Sequence, residues 1–196
     1  MPPAAKHREA IIEAALRLFR RNGYAASGMN DIVEASGAPK GSVYHYFPDG
    51  KASIAVAAIE LAGRRAVATL AELSEEAQSG GALVEAYAAR LGGWLKKSGF
   101  KDGCPITTIC LELSPQNRTV TAAAREAFSA RRQVLARVLL KDGWTEDKAR
   151  ELALLAISAV QGALVQARLE RSVLPLASTA KGLSTILDRR DVAAGT

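Results

Sequence analysis

The chain has 196 residues, of which 48% are hydrophobic, 23% charged and only 5% aromatic. This length allows one domain with a sizeable core, or a small module joined to a larger one. Ala and Leu are abundant and runs of β-branched residues are scarce, which favours packed helices over a sheet. Because charges interrupt every long apolar stretch, the sequence argues against a membrane span or a signal peptide and predicts a cytoplasmic protein.

The formal net charge of +6 raises the question of a nucleic-acid partner, but the distribution of charge does not locate one. Residues 1–51 carry a net charge of +2, and the remaining residues carry +4. Charge alone therefore does not single out the N-terminal segment as a binding surface.

Two cysteines, Cys104 and Cys110, lie six residues apart, which fits neither a CxxC redox pair nor half of a zinc site. We interpret both as small core side chains, with a redox sensor as the alternative. No metal and no cofactor are expected.

Helical patterns fill the N-terminal third of the chain. A first amphipathic helix ends at Asn22-Gly23, which is a typical C-terminal signal. A second, short helix begins near Ser27 or Gly28, with Asp31 in capping-box register and with Met29, Ile32 and Val33 facing inward. After a turn at residues 36–38, Pro39 opens a third short helix in which Val43 and Phe47 face inward.

The remaining chain reads as further helices separated by Gly, Ser and Pro breaks, one of which is Ser79-Gly80-Gly81. These helices are predicted at about 51–78, 82–97, 104–113, 119–141, 145–171 and 176–190. The sequence thus predicts an all-α protein of about nine helices.

The third helix carries an unusual outward face. A structural surface helix would present a mixture of Lys, Glu and Gln, whereas the residues left outside by Val43 and Phe47 are Lys40, Ser42, Tyr44, His45 and Tyr46. All five can hydrogen-bond to phosphates or base edges, and none is acidic. Two short helices joined by a Gly-containing turn after an amphipathic helix form the pattern of a helix-turn-helix.

The segment GYAASGMNDIVEASGAPKGSVYHYFPDGK resembles the DNA-binding region of the TetR family of repressors. It departs from the usual pattern at Gly28, where Ser or Thr is common, and in the spacing of PDGK, which is one residue longer. That spacing, with FKDGCPITTICLELS and AVQGALVQARLERS, is similar to the LmrA/YxaF-like branch of the family. The resemblance implies a helix-turn-helix domain at residues 1–50 and a helical ligand-binding and dimerisation domain at residues 51–196.

Carried over position by position, the resemblance assigns contacts with base edges and with phosphates to different residues. Base-edge contacts fall to Lys40, Gly41, Ser42 and Tyr44, together with Asn30, and phosphate contacts fall to His45, Tyr46 and Lys51. A lysine at a helix N-terminus opposes the helix dipole, so Lys51 is expected to have an anion nearby. For Tyr44 and Tyr46 the alternative is packing against the first helix.

The resemblance also implies dimerisation through the last two long helices, about 145–171 and 176–190. The small residues Ala159, Gly162 and Ala163 suit close packing in such an interface, although a face buried within one subunit is the alternative. Candidate ligand-binding residues are aromatic or polar groups within aliphatic patterns, and core packing is the alternative for each of them. They are Trp94, Phe100, Thr107, Cys110, Phe128 and Gln161. A small neutral or weakly polar organic effector is expected, because no charged cluster is evident.

Together these features predict a ligand-responsive repressor that binds double-stranded operator DNA as a homodimer. A helical interaction scaffold without DNA binding would share the long helices but would not require KGSVYHYF. An enzyme is less favoured, because the sequence has no nucleophile elbow, phosphate loop or metal-ligand spacing, and His45 has only His7 as another histidine.

Overall fold

The computed structural model describes residues 3–188, and over this range the chain forms nine α-helices and no strand. This confirms the all-α prediction. The helices are α1 (Pro3–Asn22), α2 (Met29–Ser36), α3 (Lys40–Tyr46), α4 (Lys51–Glu76), α5 (Gly80–Lys97), α6 (Pro105–Leu113), α7 (Arg118–Lys141), α8 (Glu146–Glu170) and α9 (Leu174–Leu187).

The helices form two compact units. The first contains α1, α2, α3, the part of α4 up to Arg65, and residues 103–127, which comprise α6 and the start of α7. The second contains the rest of α4 from Ala66, α5, the rest of α7 from Phe128, α8 and α9. The first unit is larger than the predicted DNA-binding segment 1–50 because α6 packs against α1.

The core of the first unit is built on α1, against which α2, α3 and α6 all pack. Ile11, Ala15 and Phe19 recur at four-residue spacing along α1 and are completely buried. Ile32 of α2, Val43 of α3 and Phe47 beyond the end of α3 are also buried in this unit. Of the three inward residues predicted for α2, only Ile32 is fully buried, and Met29 and Val33 are half-buried.

The second unit is organised around α5, α8 and α9, which pack against one another. One face of α8 is buried within the chain and includes Leu152, Ala156 and Ala163. The opposite face, with the outer side of α9, leaves large apolar side chains exposed to solvent. We call this surface the α8–α9 apolar face, and it consists of Leu154, Leu155, Val165, Leu169, Leu174 and Ile186.

Because α8 is apolar on both sides, it is long and apolar enough by composition to cross a membrane. A helix in the core of a folded domain satisfies the same criteria, and part of α8 is buried against α5 and α9.

The start of α5 differs from the prediction that Ser79-Gly80-Gly81 forms a break. Both glycines are in the first turn of α5, and Ser79 is the N-cap whose side chain accepts a hydrogen bond from Ala82 N. The carboxylates of Asp142 and Asp188 accept hydrogen bonds from Gly80 N (2.7 Å) and Gly81 N (3.1 Å). A β-carbon at Gly81 would collide with Asp188, so these glycines allow distant carboxylates to cap the helix.

Smaller differences occur at other helix ends. Pro39 is the N-cap of α3, one residue before the helix, and α9 begins at Leu174 with Pro175 in its first turn. The predicted N-cap of α8 is confirmed, since Thr145 Oγ1 accepts a hydrogen bond from Lys148 N at 3.4 Å. The predicted end of the last helix at Arg190 lies outside the described residues, and α9 ends at Leu187.

The close approach of α4 and α7 at Gly63 gives a test of packing. A β-carbon on Gly63 would lie 2.8 Å from Ala127 Cβ and 3.4 Å from Ala127 Cα, neither of which can rotate away. We expect Gly63→Ala to lower the free energy of unfolding by about 1–3 kcal/mol in urea denaturation.

The matched control is Gly93→Ala, because Gly93 is also helical and has no atom within 4 Å of the new β-carbon. This control is expected to raise the free energy of unfolding by about 0.5–1 kcal/mol. Equal stabilisation by both substitutions would contradict the close contact at Gly63.

Candidate nucleic-acid interface

The orientation of α3 is fixed by two buried residues. Val43 is completely buried and Phe47 is 3% exposed. The guanidinium carbon of Arg8 lies 5.6 Å from the centroid of the Phe47 ring, on the side facing α1. Because these anchors are four residues apart, they hold one face of α3 inward and leave the opposite face to solvent.

The exposed face of α3 presents polar side chains and no carboxylate. Lys40, Gly41 and His45 are exposed, Ser42 and Tyr46 are half-buried, and Tyr44 is 47% exposed. The His45 and Tyr46 rings are in edge contact, with centroids 5.0 Å apart. About half of the Tyr44 side chain is exposed and Tyr46 is half-buried, so DNA contact and packing against α1 both stay open for these two residues.

The turn between α2 and α3 is short and internally bonded. Gly37 has the left-handed conformation (φ +63°) that ends α2, and Ser36 Oγ accepts a hydrogen bond from Ala38 N at 3.2 Å. At the other end of α2, Gly28 N donates to Asp31 Oδ2 at 2.7 Å, which is the half of a capping box that glycine permits. Asn30, in the first turn of α2, is exposed.

Lys51 begins α4 and contacts the turn between α1 and α2. Its Nζ donates a hydrogen bond to Tyr24 O at 3.0 Å and lies 4.1 Å from the centroid of the Tyr24 ring. The carbonyl oxygen and the ring face are the partners that offset the unfavourable helix dipole at this lysine. An ammonium group has three N–H donors, so two remain beyond the bond to Tyr24.

The same turn is held from its other side by Glu112 of α6. The two carboxylate oxygens of Glu112 accept hydrogen bonds from Tyr24 N (2.7 Å) and Ala25 N (2.6 Å). Gly23 leaves room for this contact, because its φ is +89° and a β-carbon there would lie 2.8 Å from Glu112 Oε1. Ser27, which is fully buried, donates from Oγ to Gly23 O at 2.7 Å.

This environment raises the pKa of the Tyr24 phenol, mainly through burial and secondly through the negative charge of Glu112. Because the folded state favours the neutral phenol, Tyr24 contributes to the stability of the folded protein. This contribution is fully present below the ordinary tyrosine pKa of about 10. The contribution is lost as the pH rises through the raised pKa that Tyr24 has in the folded protein.

Sequence reasoning missed Glu112, and it considered Ser27 only as a possible start of α2, whereas Gly28 is the N-cap and Ser27 bonds to Gly23 O. The signal for Glu112 was the single charged residue in an otherwise apolar α6, but the sequence did not show where that carboxylate would find a partner. Its partners lie 88 and 87 residues away along the chain.

The six predicted effector residues are distributed over both compact units. Thr107 and Cys110 lie on α6 in the first unit and are half-buried. The others belong to the second unit, where Trp94 is 44% exposed on α5 and Phe100 has a left-handed backbone (φ +60°). Phe128 of α7 and Gln161 of α8 are half-buried. Their shared role remains a prediction.

Neither Cys104 nor Cys110 is in a disulfide, and neither is fully buried. Partial burial raises the pKa of the Cys110 thiol, a hydrogen bond with Ser114 lowers it, and Cys104 raises it further. Within residues 3–188, no group of three or more His, Cys, Asp or Glu side chains is placed to hold a metal ion.

The role of Glu112 can be tested by replacing its carboxylate with an amide. In Glu112→Gln, one of the two N–H donors faces an NH₂ group, so we expect a loss of about 1–3 kcal/mol in unfolding free energy. Hydrogen exchange of the Tyr24 and Ala25 amides should become faster, and the phenol of Tyr24 should titrate at lower pH.

Glu126→Gln on α7 is the control, since Glu126 is exposed and shares the charge change. Unchanged amide exchange at residues 24 and 25 in Glu112→Gln would show that the turn does not depend on the carboxylate.

Comparison with known proteins identifies this arrangement. Residues 11–58 match the family model of the bacterial regulatory proteins of the tetR family, and residues 81–182 match that of the LmrA/YxaF-like transcriptional regulator C-terminal domain. An uncharacterized HTH-type transcriptional regulator of Mycobacterium tuberculosis is 32% identical, over 92% of this chain and 93% of that protein.

The HTH-type transcriptional regulator LmrA of Bacillus subtilis is 27% identical, over 93% of this chain and 97% of its own length. The crystal structure of a TetR transcriptional regulator from Chloroflexus aurantiacus superposes with a TM-score of 0.79 at 25% identity, covering 97% of this chain and 98% of that one. The chain is therefore a helix-turn-helix transcriptional regulator of the TetR family, with an LmrA/YxaF-like C-terminal domain.

Proposed function

We propose that this regulator is a cytoplasmic repressor that binds a palindromic operator as a homodimer and is released by a small organic effector. The observation that carries the proposal is the exposed face of α3, which is rich in hydrogen-bonding groups and lacks carboxylates, above the buried anchors Val43 and Phe47. A helix held in this way fits the major groove, where base edges present donors and acceptors.

Within this proposal, side chains divide by the part of the duplex that they reach. Base edges are contacted by Lys40, Gly41, Ser42 and Tyr44 with Asn30 of α2, and phosphates by His45, Tyr46 and Lys51. The exposure of Lys40, Tyr44 and His45 supports these roles. Lys51 retains two N–H donors for a phosphate beyond its bond to Tyr24 O.

The proposed dimer forms through the α8–α9 apolar face. Six large apolar side chains exposed on two adjacent helices are more than a monomer surface usually carries as one patch. A β-carbon at Gly162 or Gly182 would meet no atom within 4 Å, so both positions leave room for a partner helix. Of the small residues expected in this interface, Ala163 is instead buried in its own subunit.

Two copies joined in this way would present two α3 helices to one operator. Half-sites one helical turn apart require about 34–36 Å between the reading helices. We propose that the effector binds better to a conformer in which α4, which begins at Lys51, has moved and changed this separation. A hundredfold loss of operator affinity requires about 2.7 kcal/mol of differential binding.

The alternative functions are a scaffold without DNA binding and an enzyme. Relatives that match over nearly the whole chain are named as transcriptional regulators, which favours a protein that is not an enzyme. A scaffold would need the long helices but not the exposed side chains of α3.

The DNA-binding proposal is tested with Lys40→Ala and Tyr44→Ala, because both side chains are exposed and neither anchors the fold. Each is expected to weaken binding to an operator selected from random duplexes by about 5- to 150-fold, the equivalent of about 1–3 kcal/mol. Fluorescence anisotropy measures the affinity, and sedimentation checks that the dimer is intact.

Lys97→Ala, which removes an exposed lysine at the end of α5, is the control for net charge and should leave operator affinity unchanged. Variants that bind the operator as well as the unmodified protein does would contradict the contacts assigned to Lys40 and Tyr44. If no operator duplex can be selected with the unmodified protein, the scaffold alternative is favoured.

The dimer proposal is tested with Leu155→Glu and Leu169→Glu, which place charges on the α8–α9 apolar face. We expect both to sediment as monomers, since an interfacial carboxylate without a partner would be desolvated at a cost of several kcal/mol. Leu111→Glu on α6 is the matched control, because Leu111 is 80% exposed and outside this face. Dimers that persist in both interface variants would exclude this surface as the interface.

A further inference from the structure

One arginine of α7 occupies a core position. Arg131 is 4% exposed and lies three and four residues before Val134 and Leu135, which are also buried. Two other arginines of the same helix, Arg125 and Arg137, are exposed. Arg131 is therefore on the inward stripe of α7, where the pattern of the helix calls for an apolar residue.

The charge of Arg131 has no counter-charge among the described residues. Its Nε is fully buried without a hydrogen-bond partner, and no ion pair joins its guanidinium to a carboxylate within residues 3–188. Its contact is with Phe128, one turn earlier, where the guanidinium carbon lies 5.0 Å from the ring centroid. The ring supplies an apolar, electron-rich surface beside the guanidinium group.

An arginine does not escape burial by losing its proton, because the guanidinium group is always charged in proteins. The free-energy cost of removing a guanidinium group from water is larger than the stabilisation that contact with one aromatic ring provides. A buried guanidinium group is stabilised most strongly when a planar oxyanion binds to it through two parallel hydrogen bonds.

We propose that Arg131 is the anchor of the effector site and that the effector is an organic carboxylic acid, with its apolar body beside Phe128. This rests on the proposed function, because it assigns the chemical class of the effector. It replaces the neutral or weakly polar effector expected from sequence, which followed from the apparent lack of a charged cluster. The inward direction of one arginine in the pair Arg131-Arg132 is visible only in the folded helix.

The test begins with the protein alone. Arg131→Met keeps the length of the side chain and removes the charge, so the melting temperature of the unliganded protein should rise by about 2–4 °C or more. Arg137→Met on the exposed side of α7 is the matched control and should leave the melting temperature unchanged. A lower melting temperature in Arg131→Met would show that the arginine is a satisfied structural residue, which overturns the proposal.

The second measurement uses benzoate, cinnamate, salicylate and decanoate, each paired with its primary amide, with calorimetry on the full-length dimer. We expect at least one acid to bind at least tenfold more tightly than its amide, and Arg131→Met to lose at least tenfold affinity for that acid. Inorganic phosphate is included as a control, because it shows whether the site binds a small oxyanion that has no apolar body. The proposal is overturned if phosphate binds as tightly as the acids, if the amides match the acids, or if no acid binds.

Operator binding separates this inference from the proposed function. If the operator is bound but a neutral compound releases it equally from the unmodified protein and Arg131→Met, the carboxylate assignment is wrong and the repressor function stands. If an acid binds through Arg131 but the protein binds no operator duplex, the site stands and the repressor function is wrong.

Discussion

The carboxylate of Glu112 is the side-chain contact that links α6 to the turn between α1 and α2. It accepts two backbone N–H groups from the turn that joins α1 to α2, and Lys51 binds the carbonyl oxygen of the same residue, Tyr24. Two residues of this turn, Tyr24 and Ala25, are therefore bound by an anion at their N–H donors, and the Tyr24 carbonyl oxygen is bound by a cation. Because α1 supplies the core against which α2 and α3 pack, displacement of this turn would also disturb the position of α3.

The chain uses unpaired cationic and hydrogen-bonding groups in two contrasting settings. On α3 they face solvent above the buried anchors Val43 and Phe47, where water can satisfy them, and in the proposed complex DNA phosphates and base edges would replace that water. On α7, Arg131 is withdrawn from water, and only a group of matching size and charge compensates it. The exposed groups of α3 suit a large partner with a repeating charge, such as DNA. The buried Arg131 suits a single small molecule of matching shape and charge.

The sequence predicted the helices and the exposed face of α3 well, because Gly, Pro and Asn mark their ends and the inward positions Val43 and Phe47 fix the phase of the helix. It failed where distant residues decide the local structure. The start of α5 depends on Asp142 and Asp188, and the α1–α2 turn depends on Glu112. Helical periodicity alone also left open which arginine of α7 faces inward, since Arg131 and Arg132 are adjacent.

The fit between Gly23 and Glu112 bears on how such regulators can be recombined. A β-carbon at position 23 would meet the carboxylate, and a different side chain at position 112 would leave two backbone donors without an acceptor. The N-terminal helices are therefore not a self-contained cassette. A chimeric regulator that takes its DNA-binding segment from this chain must also inherit α6 residues, or a designer must rebuild an acceptor for the turn from the recipient scaffold.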